Sequence, residues 1–251
     1  MARQKLGQHF LQSARVLERI ATAACPEGTS QVIEIGPGQG ALTELLLART
    51  DRVVALEMDP DLAEHLRQRW PDLYLVEGNA LNFDWTQWGP AALAGNLPYY
   101  VATAIISKYL ANPGALTQAV FLIQKEVAER IAAKPGTRDF GYLSVECQYL
   151  ATVEYLFSVP PGAFRPPPKV DSAVIRLTPR REAQSADAKP FLEFASACFR
   201  QKRKTLRNNL AERYPKEQLE AMPALSKRAE QLSVAELLEL FRNLHLPDLP
   251  C

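Results

Sequence analysis

Short apolar runs alternate with amphipathic segments along the chain as far as residue 178. Runs rich in Val, Ile and Leu predict buried strands, and apolar residues spaced three and four positions apart predict helices. The predicted strands are residues 31–35, 52–56, 73–76, 91–95, 118–124, 152–159 and 172–177. Beyond residue 180 only the helical pattern continues. This change predicts an α/β domain over residues 1–179 and a small all-α domain over residues 180–251, with 180–189 as a linker.

Glycine or polar residues follow the first four predicted strands. Gly36 follows the first strand, Glu57 the second and Asn96 the fourth, and Asn79 comes shortly after the third. In an open parallel sheet, the carboxyl ends of the strands lie along one edge. We therefore expect these four positions to converge on one crevice.

The turn after the first strand, residues 36–40, reads Gly-Pro-Gly-Gln-Gly and leads into a helix. Glycines let the main chain approach a ligand closely at the amino end of that helix. The spacing differs from the Gly-x-Gly-x-x-Gly dinucleotide fingerprint, and by itself it specifies no particular nucleotide. Glu57 lies about 20 residues further on, where Rossmann-like folds place the acid that binds ribose hydroxyls. Together they favour a nucleotide-like ligand over a solvated charge at a strand end.

Residues 96–100 read Asn-Leu-Pro-Tyr-Tyr and connect the fourth strand to a helix. The Asn96 amide offers an acceptor oxygen, Pro98 fixes the local main-chain angle, and Tyr99 offers a flat aromatic face. This set suits a planar base that carries an exocyclic amine. The alternative is an ordinary strand-to-helix turn in which Asn96 caps the helix and Tyr99 packs.

A proline-rich loop covers residues 160–169, between two predicted strands. Its five prolines make it stiff and extended, so we expect Phe164 and Arg165 to be displayed at low entropic cost.

The helical region carries a run of positive charge in which no acid occurs between Glu193 and Glu212. Its five basic residues are Arg200, Lys202, Arg203, Lys204 and Arg207. A charge run usually forms a solvated face, but five like charges without counter-ions favour a polyanion as partner.

Overall composition sets limits on location. The net charge is +1 and the hydrophobic share is 47%, which is normal for a protein with a full core. No apolar run approaches the roughly 20 residues of a membrane helix, and the first residues lack the apolar core of a secretion signal. The four cysteines lie far apart, which predicts reduced thiols rather than disulfides or a zinc site. We expect a cytoplasmic monomer without a membrane partner.

Five segments closely resemble the small-subunit ribosomal RNA adenine dimethyltransferase family (KsgA/RsmA), and the resemblance extends along nearly the whole chain. The segments are residues 6–11, 34–43, 96–99, 163–172 and 199–208. The first four also occur, in looser form, in the erythromycin-resistance methylases that act on large-subunit RNA. The fifth is the most specific for the small-subunit group.

The resemblance implies a Rossmann-like class I fold, with helices on both faces of the sheet, that uses S-adenosyl-L-methionine (SAM) as methyl donor. The implied cofactor-binding residues are His9, Leu11, Glu34, Gly36, Gly38, Gly40, Glu57, Met58, Asn79, Ala80 and Asn96. The implied catalytic residues are Asn96, Leu97, Pro98, Tyr99 and Phe164, the last two stacking on the target base. The implied RNA-binding residues are Arg165, Lys169 and the five basic residues of segment 200–207. Asn79 departs from the family, which usually has an Asp that accepts from the adenine amine of SAM.

The implied activity is dimethylation of N6 on two adjacent adenines near the 3′ end of small-subunit (16S) ribosomal RNA, with the immature 30S particle as partner. One alternative is a ribosome-assembly or nucleic-acid-binding factor that does not depend on methylation. Others are a large-subunit RNA or DNA adenine methylase and, more distantly, a nicotinamide oxidoreductase.

Overall fold

The computed structural model describes residues 9–112, 114–180, 183 and 186–245. The strands are β1 (Phe10–Leu11), β2 (Val32–Ile35), β3 (Val53–Glu57), β4 (Tyr74–Glu77), β5 (Ala91–Asn96), β6 (Leu116–Gln124), β7 (Ala151–Val159), β8 (Phe164–Arg165) and β9 (Ser172–Pro179). The helices are α1 (Ala14–Ala24), α2 (Ala41–Leu47), α3 (Pro60–Arg69), α4 (Ala102–Leu110), α5 (Lys125–Ile131), α6 (Tyr142–Leu150), α7 (Ala188–Cys198), α8 (Leu206–Leu210), α9 (Lys216–Glu220) and α10 (Val234–His245). The seven predicted strands are confirmed to within two residues at each end.

Seven strands form one sheet in the order β4-β3-β2-β5-β6-β9-β7. The first five in this order are parallel to their neighbours, whereas β9 runs antiparallel to both β6 and β7. All four residues of β2 are buried, as its run of branched side chains predicts for a central strand. The chain order reverses between β2 and β5, which is the point where open α/β sheets bind ligands.

Gly95 sets the spacing of β2 and β5 at this point. A Cβ atom at Gly95 would lie 2.7 Å from the Ile35 carbonyl oxygen. Any side chain there would push the two strand ends apart, because a main-chain oxygen cannot move aside alone. The close approach therefore keeps Gly36, after β2, near Asn96, at the end of β5.

A second, two-stranded sheet joins β1 to β8. Phe10 pairs with Arg165 and Leu11 pairs with Phe164 in an antiparallel arrangement. The sequence did not predict this pairing. It ties the segment before α1 to the proline-rich loop.

The chain divides into two compact units. The first consists of the described residues of Met1–Ala128 together with Ala151–Pro179, and the second of Glu129–Leu150 together with the described residues of Arg180–Cys251. Residues 129–150, which the sequence placed in the first domain, thus group with the C-terminal helices. The reason is packing, since Phe140 and Val145 belong to the same buried cluster as Phe191 and Phe194 of α7.

No helix among the described residues is long and apolar enough to span a bilayer.

Candidate active site

A cavity opens at the carboxyl edge of the parallel strands, within the first unit. It is lined by residues 9–11, by Leu17 and Ile20 of α1, by Glu34, by residues 36–39, 41 and 42, by Glu57, by residues 96–99 and by Phe164. Three segments far apart in sequence therefore meet here: the glycine turn (residues 36–40), the Asn96 turn (residues 96–99) and the N-terminal arm (residues 9–13).

The glycine turn is held against the end of β3 by the Glu57 side chain. Gly36, Gly38 and Gly40 all have positive φ angles, which residues with a Cβ rarely adopt. The Gly38 N–H donates to Glu57 Oε2 at 3.0 Å, and the Asp59 N–H donates to Oε1 at 2.9 Å. Burial raises the pKa of Glu57, and these main-chain donors partly oppose that rise. A carboxylate has about four acceptor sites, so Glu57 can also accept from a ligand hydroxyl.

Glu34 is a second carboxyl at the cavity, and it lies fully buried within β2. The Thr43 hydroxyl donates to Glu34 Oε2 at 2.6 Å. Burial raises the pKa of Glu34 to about 7, the Thr43 hydrogen bond lowers it in part, and the nearby Glu57 carboxylate adds to the rise. A cation bound nearby would favour the ionised form of Glu34 and so lower its pKa.

The Asn96 turn lines the cavity and carries several acceptor atoms. Asn96 Nδ2 donates to the main-chain carbonyl of His9 at 3.0 Å, and its side chain makes no other hydrogen bond within the described residues. The Pro98 carbonyl already accepts the Val101 N–H at 3.1 Å. The Leu97 carbonyl has no hydrogen-bond donor in the described part of the chain. Asn96 Oδ1 and the Leu97 carbonyl are thus the acceptors left to a ligand.

Two aromatic rings and an imidazole complete the wall. The Tyr99 hydroxyl shares a 2.8 Å hydrogen bond with Oγ of Ser172, a fully buried residue at the start of β9. The rings of His9 and Tyr99 have centroids 6.1 Å apart. The expectation that Phe164 is displayed is wrong, because its side chain is only 1% exposed and packs in the core beside Leu11. Phe164 contributes a cavity wall, not a projecting ring.

The geometry brings acceptor atoms, an aromatic face and two buried carboxyls into one cavity beside a glycine turn. A family model described as "Ribosomal RNA adenine dimethylase" matches residues 1–245. The chain belongs to the ribosomal RNA adenine dimethylase family.

Named relatives of this dimethylase family align along almost the whole chain. The "Ribosomal RNA small subunit methyltransferase A" of Acidobacterium capsulatum is 42% identical, over 96% of this chain and 90% of the relative. The protein of the same name from Synechococcus elongatus is also 42% identical, over 98% of this chain and 96% of its own length.

Two solved structures share the fold of this chain. A dimethyladenosine transferase from Plasmodium falciparum superposes with a TM-score of 0.82 at 25% identity, covering 92% of this chain and 96% of that one. The 23S rRNA methyltransferase ErmE gives a TM-score of 0.72 at 29% identity, covering 94% of this chain and all of that one. The predicted class I methyltransferase fold is therefore confirmed.

Four residues that the family resemblance assigned to the cofactor do not line the cavity: Gly40, Met58, Asn79 and Ala80. Asn79 Oδ1 accepts the Leu81 N–H at 3.0 Å and so caps the short 3₁₀ turn that follows it. The oxygen that was expected to accept from the adenine amine of SAM thus already accepts one main-chain hydrogen bond.

Several residues that line or support the cavity were not among the predicted site residues, and they include Phe10, Thr43 and Ser172. Each lies within a segment that carried the family resemblance, and Thr43 and Ser172 each occupy the last position of theirs. Membership of these segments was therefore a usable signal for all three. Their hydrogen bonds and contacts depend on residues distant in sequence, which no local pattern indicates.

The residues predicted to bind RNA are distributed over both units. Arg165 and Lys169 are exposed in the proline-rich loop of the first unit. In the second unit, the expectation that the five charges lack counter-ions is wrong for Arg200, which makes two hydrogen bonds to Glu212, at 2.6 and 2.9 Å. The two residues are twelve positions apart and meet because α7 and α8 pack together.

The other charges of the basic segment are engaged differently. Lys202 Nζ donates to the Arg138 carbonyl, while Arg203 and Lys204 are exposed. Arg207 Nε is buried with no hydrogen-bond partner among the described residues.

Proposed function

We propose that this protein uses SAM to dimethylate N6 of two adjacent adenines near the 3′ end of small-subunit ribosomal RNA. The observation that carries the proposal is a pair of acceptors with no donor among the described residues, Asn96 Oδ1 and the Leu97 carbonyl, in residues that line the same cavity as the glycine turn and Glu57. The relatives named above, at 42% identity, support the small-subunit substrate.

The residues present fit SAM by charge and by hydrogen bonding. Glu34 and Glu57 line the cavity, and neither Lys nor Arg is among the described lining residues. SAM carries a sulfonium and an ammonium against one carboxylate, so a cavity with two carboxyls suits it. The glycine turn and Glu57 line the same cavity, and the carboxylate can still accept from a ribose hydroxyl. His9, Leu11, Gly36, Gly38 and Asn96 would form the other contacts.

When bound, SAM supplies a methyl group on a sulfonium whose leaving group is a neutral thioether. The chain's own task is then to prepare the adenine amine, whose lone pair is delocalised into the ring. In the first transfer, Asn96 Oδ1 and the Leu97 carbonyl would accept its two N–H groups and favour a more tetrahedral nitrogen. The methylated nitrogen then releases one proton to solvent, and in the second transfer its remaining N–H needs only one of these acceptors. Most of the catalysis is therefore orientation and electrostatics, in agreement with the absence of Asp, Glu or His from residues 96–99.

The target adenine must leave its stack to reach these acceptors. Tyr99 offers the accessible aromatic face, and its hydroxyl is anchored by Ser172. One such stacking contact is worth roughly 1–3 kcal/mol, which partly offsets the unstacking cost. Phe164, a buried residue of the cavity lining, would limit how deep the base can enter.

The RNA partner is held, in this proposal, by phosphate contacts. Arg165 and Lys169 in the first unit and Lys202, Arg203 and Lys204 in the second would bind phosphates, with salt-sensitive affinity. We propose the immature 30S particle in the cytoplasm as the physiological substrate.

The test is transfer of labelled methyl groups from SAM to unmethylated small subunits, with large-subunit RNA and duplex DNA as competing substrates. Asn96→Ala should abolish transfer while leaving RNA affinity almost unchanged. The matched control is Asn112→Ala, which removes an amide that donates to the Lys108 carbonyl at the end of α4. Equal loss of transfer and RNA binding in Asn96→Ala would refute the assigned role, and preference for DNA or large subunits would refute the substrate.

A further inference from the structure

The N-terminal arm contacts each of the loops that form the cavity. The His9 carbonyl accepts from the Asn96 amide, and a Cβ atom at Gly38 would lie only 3.1 Å from the Phe10 ring. His9 Nδ1 lies 2.8 Å from the Pro166 carbonyl oxygen. Residues 10–11 also pair with β8. The arm thus links the glycine turn, the Asn96 turn and the proline-rich loop.

We propose that His9 is a positioning residue for Asn96. Its carbonyl fixes the Asn96 carboxamide so that Oδ1 faces the cavity, and its imidazole holds that carbonyl in place. The inference rests on the proposed function, since it explains how the acceptor that binds the adenine amine is oriented.

The chemistry of the contact decides the orientation of the amide. A main-chain carbonyl can only accept, so the Asn96 group that faces His9 must be the NH₂. Rotating the carboxamide by half a turn would place Oδ1 against the carbonyl oxygen and present NH₂ to the cavity. An adenine amine is itself a donor, and a second donor would repel it. The single 3.0 Å contact with His9 therefore selects the productive side of Asn96.

The His9 carbonyl is itself held on both sides. Because Pro166 offers a carbonyl, His9 Nδ1 must carry the proton, which makes Nδ1–H the neutral tautomer. On the other side, the main-chain N–H groups of Gln12 and Ser13 donate to the Ala163 carbonyl at 2.8 and 3.3 Å. The carbonyl that orients Asn96 therefore lies between two attachments to the same loop.

Asn96→Asp separates the two functions of the amide. Aspartate keeps an acceptor oxygen for the cavity, but its ionised form has no hydrogen to donate and places a charge against the His9 carbonyl. Protonation restores a donor. We expect almost no transfer at pH 8, and the ratio of variant to wild-type kcat should rise about tenfold for each unit that pH falls toward the pKa of the introduced carboxyl. Full activity at pH 8, or a ratio that is independent of pH, would overturn the proposal.

His9 substitutions test whether the imidazole holds the His9 carbonyl in place. Asn places its amide nitrogen near the Nδ1 position of histidine, whereas Gln places it near Nε2. At saturating SAM, the kcat of His9→Asn should therefore be at least fivefold higher than that of His9→Gln or His9→Ala. A side chain needed only for cofactor contact would instead raise the KM for SAM and leave kcat intact in all three variants. That result, like equal kcat values for Asn and Gln, would contradict the proposal.

A spectroscopic measurement keeps this inference separate from the proposed function. The sequence holds three histidines, so long-range ¹H–¹⁵N spectra can assign His9 and report its tautomer without any substrate. Nδ1–H is expected in the wild type. Nε2–H would refute the hydrogen bond from His9 to the Pro166 carbonyl, and with it the proposed positioning role of His9. A wild-type protein that shows the Nδ1–H form yet transfers no methyl group would refute the proposed function. It would not contradict the hydrogen bond from His9 to the Pro166 carbonyl.

Discussion

Replacing Glu34 with Gln should reduce the pH dependence of the stability of the first unit. Glu34 is buried in the central strand β2, and Thr43 is its hydrogen-bond donor. Burial moves the pKa of this carboxyl from its ordinary value of 4.5 to about 7. The folded protein therefore holds a proton on Glu34 over a range of pH in which the unfolded chain has released it.

The sign and size of the effect follow from that difference. Below pH 4.5 the carboxyl is protonated in both states and contributes nothing. As pH rises from 4.5 to 7, only the unfolded chain ionises, so the free energy of unfolding falls by about 1.4 kcal/mol per pH unit. Above pH 7 both states are ionised and the loss stays constant at roughly 3 kcal/mol. Gln has no charge at any of these values, so the fall should disappear in the variant.

Urea unfolding between pH 5 and pH 8, followed by tryptophan fluorescence, measures this directly. Trp70, Trp85 and Trp88 all lie in the first unit, so the signal reports that unit. Glu27→Gln, at an exposed position before β2, controls for the removal of a carboxylate as such. If the wild type and Glu34→Gln lose stability in parallel as pH rises, the buried carboxyl is not the cause and the reasoning fails.

Three further changes probe the cavity wall, the sheet edge and the basic segment. Ser172→Ala and Tyr99→Phe each remove one partner of the same hydrogen bond, so each should lower kcat about fivefold, which corresponds to about 1 kcal/mol. The double variant should be no slower than either single variant. Additive losses in the rate of methyl transfer would contradict this coupling. Gly95→Ala should cost about 1–3 kcal/mol of unfolding free energy because its Cβ would overlap the carbonyl of the neighbouring strand; a stability equal to the wild type in urea would show that the strands can separate freely. Lys204→Gln should reduce the slope of log affinity against log salt by about 1 on small-subunit RNA, and an unchanged slope would remove Lys204 from the phosphate contacts.

Much of the fold followed from local pattern. Branched apolar runs fixed the strands, and the alternation with helices implied parallel neighbours. The carboxyl ends of those neighbours then had to lie on one edge, and the structure places Gly36, Glu57 and Asn96 there, around one cavity. Their roles toward SAM and adenine stay predictions, which the experiments above address.

Features that the sequence missed all depend on contacts between distant residues. Phe164 was expected to project because its neighbours are prolines, but its ring packs in the core with Leu11, the distant residue with which it pairs. Arg200 was expected to lack a counter-ion because no acid is near it in sequence, but packing of α8 on α7 supplies Glu212. Residues 129–150 were assigned by position in the chain, whereas their apolar side chains pack with the C-terminal helices.

The difference between local sequence pattern and contacts between distant residues also explains how the cavity is organised. The side chains proposed to act on the ligands are each held by a partner elsewhere in the chain: Asn96 by His9, 87 positions away, and Tyr99 by Ser172, 73 positions away. Local sequence determines which chemical groups reach the sheet edge, and these tertiary contacts determine which atom of each group faces the cavity. A change that loosens the start of β9, which supplies none of the proposed SAM contacts, should therefore lower kcat before it weakens SAM binding. The reason is that the Glu57 and glycine-turn contacts proposed to hold the cofactor are formed by β2 and β3 alone.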